Sequence, residues 1–115
     1  MQLPHVDSAV IPETKIRGYL LAVDHPTGRS KARFFNSLGF SHDQAAALGK
    51  ALLLHAASHA VSSERRTPFG VKYLIEGDIC GPTGVAARIR SIWFVEFGER
   101  IPRLVTAYPV QESQA

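Results

Sequence analysis

The sequence predicts an α+β domain in which N-terminal helices pack on one face of a C-terminal antiparallel sheet of three to four strands. Three observations carry this reading. Up to about residue 61 the apolar residues recur at helical spacing, and from Gly70 onwards they alternate with polar ones at the period of a strand. Turn residues punctuate the change: Gly39 between two helical stretches, Gly81-Pro82-Thr83-Gly84 and Gly98-Glu99-Arg100 between strands. A chain of 115 residues holds one domain. The expected division is an extended segment at 1–12, the domain at 13–110 and a short tail at 111–115.

Pro4 and Pro12 mark the extended lead-in. Glu13 to Leu21 reads as a first helix, with Pro12 at its first position and Ile16, Leu20 and Leu21 on one face. Asp24 to Gly28 is a turn cluster, in which Pro26 keeps His25 out of the α region. The second helix spans Arg29 to Leu38, and Gly39 sits where a left-handed cap residue is expected. Ser41 and Gln44 match a capping box and open the longest helix, which runs through Leu48 and Leu52 to about Val61. Ser62 to Pro68 reads as a polar, basic loop. Gly70 to Cys80 alternates as a strand. Val85 to Phe97 is apolar on both faces around Ile92 to Val95, so it is expected in the centre of the sheet. Ile101 to Val110 is the last strand, and Pro102 near its start implies an edge.

Composition excludes several functions. Cys80 is the only cysteine, which rules out an internal disulfide and a Cys-based zinc site and favours a reducing compartment. No apolar run approaches the ~20 residues of a membrane span, and the N-terminus lacks the layout of a signal peptide. A cytoplasmic location and no membrane partner are expected. Beginning at its own methionine, the chain reads as a stand-alone protein. A formal charge of +3 permits a nucleic-acid partner.

The second helix carries the densest chemistry. Phe34, Phe35 and Leu38 form its apolar stripe, and Lys31 extends that stripe one turn towards the N-terminus. A lysine there is either a stem covering the core edge or a functional cation. Free N–H groups at the helix start attract anions, Arg29 lies in the first turn, and His25 just precedes it. On the last strand, Leu104, Thr106 and Tyr108 are expected to point one way, with two hydroxyls suited to a phosphate or sugar. Arg88, Arg90 and Arg103 could build a basic sheet face. His55 and His59 have a metal-ligand spacing but no third ligand, so no metal is expected. Glu76 and Asp78 read as an exposed strand face.

Several stretches together resemble a bacterial domain-of-unknown-function family built around H-P-x-G-[RK]-S-K-A-x-F-F and a closing P-R-L-V-T-A-Y-P. Here they read HPTGRSKARFFNSLGF at 25–40, GVKYLIEGDICGPTG at 70–84, IRSIWFVE at 89–96 and PRLVTAYP at 102–109. The order of elements is also remotely similar to the barnase–EndoU–colicin–RelE ribonuclease superfamily, many of whose members are toxins. That resemblance implies metal-independent RNA cleavage without a cofactor. It places His25, Lys31, Thr106 and Tyr108 in the catalytic group, with Arg29, Arg33 and Arg103 binding phosphate. It also implies RNA as substrate and a cognate antitoxin or immunity protein as partner. The second early histidine of the EndoU type is missing, so the acid/base pair stays open. The alternative is a non-catalytic domain that binds a partner protein or nucleic acid.

Overall fold

The computed structural model describes residues 1–16 and 29–110; within them, the side chains of Glu13, Arg29, Ser30 and His42 are not described. α1 (Glu13–Lys15) is followed by α2 (Arg29–Ser37) and α3 (Ala45–Ser58), and the rest of the expected first helix, to Leu21, and the expected turn at 24–28 lie outside the described residues. Then come β1 (Val61–Arg66), β2 (Gly70–Cys80), β3 (Ala86–Glu96) and β4 (Arg103–Pro109). The strands form one four-stranded antiparallel meander in the order β1-β2-β3-β4. The expected architecture is present, with β3 inside the sheet.

The C-terminus of α2 closes as its sequence predicts. Gly39 has φ +98°, its N–H donates to the Asn36 carbonyl, and the Phe40 N–H donates to the Phe35 carbonyl. These are the two bonds of a Schellman cap, and the Phe35 and Phe40 rings meet edge to face across it. The start of α3 differs from expectation. Ser41 precedes a single 3-10 turn (His42–Gln44) and makes no side-chain capping bond. The helix then ends at Ser58 because His59 turns extended, its ring Nδ1–H donating to the His55 carbonyl.

The helices cover one face of the sheet. Phe35, Leu38, Leu48 and Leu52 pack there against Ile75, Ile89, Trp93, Leu104 and Ala107. The segment before α1 belongs to this core: Leu3 is buried, and Val10 pairs in parallel with Arg103 on the outer edge of β4. Gly81 seats the end of α2, since a Cβ on it would lie 1.9 Å from the Leu38 carbonyl oxygen.

Val61–Arg66 was expected to be mostly loop and is instead a strand. Apart from Val61 its residues are exposed, so no alternation betrays it. The backbone ladder to β2 makes it a strand, and the Thr67 hydroxyl, which accepts from the Phe69 and Gly70 N–H groups, folds the turn between them.

Candidate functional site

Inside the core, one polar network crosses from helix to sheet. His55 is 2% exposed and Ser91 is fully buried. The Trp93 Nε1–H donates to Ser91 Oγ (2.9 Å), and Ser91 Oγ lies 3.1 Å from His55 Nδ1. His55 Nε2 lies 3.1 Å from the Gly77 carbonyl, which can only accept, so the proton sits on Nε2 and Nδ1 receives the Ser91 hydroxyl. Burial pushes the His55 pKa down to about 4, so the ring is neutral. His59 lies beside it, its ring over Gly77. The two histidines are core structure, and among the described residues no group of three or more His, Cys, Asp or Glu could hold a metal ion.

Among the described residues no helix packs on the other face of the sheet. Strand register orders its side chains in rows. Glu76, Arg90 and Tyr108 form one row; Ser63, Leu74, Ile92 and Thr106 the next; Arg65, Lys72, Phe94 and Arg103 the third. Asp78 and Arg88 stand opposite one another on the far side of the Glu76 row.

Thr106 and Tyr108 reach this face through a bulge. The β3–β4 register runs Phe94↔Arg103 and Trp93↔Leu104, then slips to Ile92↔Thr106 and Arg90↔Tyr108, leaving Val105 unmatched. The extra residue reverses the alternation. Leu104 and Ala107 are therefore buried, while Thr106 and Tyr108 face outward. The expectation that Leu104, Thr106 and Tyr108 share one direction is corrected by that residue.

Around Tyr108 the groups converge. Arg90 Nε donates to Glu76 Oε1 (3.0 Å), and Arg90 Nη1 donates to the Tyr108 hydroxyl (3.2 Å). Arg88 Nη2 lies 3.7 Å from Glu76 Oε2. The bond from Arg90 holds the Glu76 carboxyl below its ordinary range, and the same contact raises the Arg90 pKa. Since Tyr108 accepts from Arg90, its own hydroxyl hydrogen remains for another acceptor. In the adjoining row Thr106 Oγ1 is buried and meets no hydrogen-bond partner among the described residues.

The other expected site residues lie elsewhere. Lys31 is half-buried on α2, whose apolar stripe packs on the opposite face, and it has an interaction of its own. Arg33 is exposed on α2, and Arg103 stands in the third row of the open face. His25 and the Arg29 side chain lie outside the described residues. The structure thus joins Tyr108 to Arg90 and, through it, to Glu76, partners from β3 and β2, with Thr106 in the neighbouring row of the same face. Sequence reasoning set Glu76 aside, yet a signal existed. A hairpin pivoting on Gly81–Gly84, where the Gly81 N–H donates to the Val85 carbonyl, places residue 76 opposite 90.

The fold and this face define an α+β domain with one structural face and one polar, cation-rich face. The chain belongs to the family described as domain of unknown function (DUF6883), whose model matches residues 2–111. Its fold is shared by one chain of a contact-dependent growth inhibition toxin–immunity protein complex from Klebsiella pneumoniae 342. The two align with a TM-score of 0.73 and 16% identity over 93% of this chain and 97% of that one. The comparison with curated proteins found no match.

Proposed function

We propose that this domain is a metal-independent endoribonuclease of toxin type, acting on RNA at the Glu76–Arg90–Tyr108 row. The observation that carries the reading is the convergence of a carboxylate, a guanidinium and a phenol hydroxyl on the sheet face opposite α2 and α3. Such a cluster does little for stability, because exposed ion pairs contribute only about 0.2–1 kcal/mol. The fold shared with one chain of a toxin–immunity protein complex supports a place in such a pair, with a cognate protein as partner; that this domain is the toxin rests on the sequence resemblance.

The reaction follows from the groups present. A base takes the proton of the ribose 2′-hydroxyl, whose oxygen attacks phosphorus. The bond to the 5′-oxygen breaks, and that oxygen takes a proton from an acid. The products are a 2′,3′-cyclic phosphate and a 5′-hydroxyl. Arg90 binds the phosphate and opposes the charge that builds on it, and Tyr108 donates its free hydroxyl hydrogen to a phosphate oxygen. Thr106 positions the phosphate from the next row. Glu76 is the base. Once the phosphate draws Arg90 to itself, the carboxylate loses the contact that depresses its pKa and becomes more basic. His25 is assigned the acid on the sequence resemblance alone; Lys31, Arg29 and Arg33, which that resemblance also groups with the site, belong to α2 on the opposite face of the sheet and take no part at this row.

The test is purified protein with total RNA in EDTA from pH 5 to 8. Glu76→Gln and His25→Ala should each slow cleavage by about 10²–10⁴-fold. Arg90→Ala should cost about 10²–10³-fold. Intact RNA with wild type, or full activity in all three variants at matched circular dichroism, defeats the reading. A second reading keeps the partner and drops the chemistry. β1 ends the sheet; its first N–H, at Val61, meets the Met1 carbonyl, but residues 62–66 are exposed, and among the described residues no strand pairs on that side, so a partner's strand can pair there.

A further inference from the structure

We propose that the third row of the open face, with the cavity beside it, is a nucleotide subsite for single-stranded RNA next to the cutting centre. This inference rests on the nuclease reading and extends it to the form of the substrate. Four strands contribute one residue each to the row: Arg65, Lys72, Phe94 and Arg103. Three are cations and none is a carboxylate, which suits a phosphate backbone. The row stands four residues along β3 from Arg90, about 13 Å at the rise of a strand. That distance leaves room for a nucleotide between the two rows.

The intervening surface is built to receive one. A cavity of about 340 Å³ is lined by Ser63, Glu64, Arg65, Lys72, Leu74 and Ile92. This lies within the range of roughly 300–1,000 Å³ typical of ligand clefts. Leu74 and Ile92 give it an apolar floor for the flat face of a base. Ser63 and Glu64 offer polar atoms at its wall to a base edge or a ribose hydroxyl. The Phe94 ring lies against Gly70, where a Cβ would stand 2.7 Å from its Cζ. A half-buried ring and an apolar floor suit bases that have left the stack, which selects single strands over duplex.

The experiment measures binding of a uniformly 2′-O-methylated single strand, which cannot be cut, by fluorescence anisotropy at two or more salt concentrations. Wild type should bind the single strand more tightly than the matching duplex. Lys72→Ala and Arg65→Ala should each weaken binding about 5- to 10-fold and lower the salt slope by about 1. Leu74→Trp, which fills the cavity, should weaken it with no change in that slope. Lys50→Ala on α3 removes the same charge elsewhere and should bind like wild type. Equal losses in Lys72→Ala and Lys50→Ala, or equal affinity for duplex, overturn the subsite. So does polyglutamate binding as tightly as RNA with the same sensitivity to Lys72→Ala, which would make the row a docking surface for an acidic protein. The two readings separate cleanly. A strand bound through Lys72 while RNA stays uncut ends the nuclease and keeps the subsite; RNA cut by wild type with no binding loss in these variants does the reverse.

Discussion

Replacing His55 with glutamine tests how the core responds to acid. In the wild-type fold the ring is neutral, because Nδ1 already receives the Ser91 hydroxyl and burial penalises the charged form. Its pKa is about 4 in the fold against 6.5 for an ordinary histidine. The depressed value sets the sign. Between pH 6.5 and 4 the unfolded chain binds a proton that the folded chain refuses, so acid favours unfolding throughout that window. The linkage amounts to about 3 kcal/mol between pH 7.5 and 4, with a slope approaching about 1.4 kcal/mol per pH unit near pH 5. Glutamine keeps an N–H for the Gly77 carbonyl and an oxygen for Ser91 but does not titrate. Urea unfolding at half-unit steps from pH 4 to 8 reads the difference. The wild type should lose stability relative to His55→Gln as pH falls. Glu76, whose depressed pKa adds an acid loss below its unfolded value, is present in both proteins and cancels. Parallel curves across the window would refute the assignment of a neutral, proton-excluding His55.

Other changes separate packing from chemistry. Ser91→Ala leaves Trp93 Nε1–H and His55 Nδ1 without their partner and should cost about 2–4 kcal/mol by chemical denaturation, since an orphaned buried group costs about 1–3 kcal/mol. Gly81→Ala drives a methyl into the Leu38 carbonyl and should displace the end of α2, read as a lowered melting temperature. Glu76→Gln should change stability by less than about 1 kcal/mol, because its partners are half-exposed surface arginines, while slowing RNA cleavage by about 10²–10⁴-fold. A large stability loss there would mean the row is structural.

The elements that bury a face were legible in the sequence. Phe35 and Leu38 mark α2, Gly39 its end, and alternation marks β2 and β3, whose register follows from the turn at Gly81–Gly84. β1 was not, because an exposed edge strand buries almost nothing and is held by backbone bonds that any polar sequence can make. The candidate site was legible only in part. Thr106 and Tyr108 were singled out, but their direction depends on Val105, and no local pattern announces a one-residue slip. Glu76 looked like solvated surface because charge alternation cannot distinguish a lone carboxylate from one opposite an arginine two strands' worth of sequence away.

The slip at Val105 has a consequence for how this strand can vary. Along an unbroken strand, tolerance to substitution keeps one beat: every second position resists change. Here the beat must skip. Leu104 and Ala107 answer to the helices, whereas Thr106 and Tyr108 answer to whatever meets the open face. A saturation scan of residues 103–109 scored separately for folding and for activity should give two intolerant sets that interleave before Val105 and change phase after it. The last strand can thus exchange its outward residues, and with them its chemistry, without renegotiating the core.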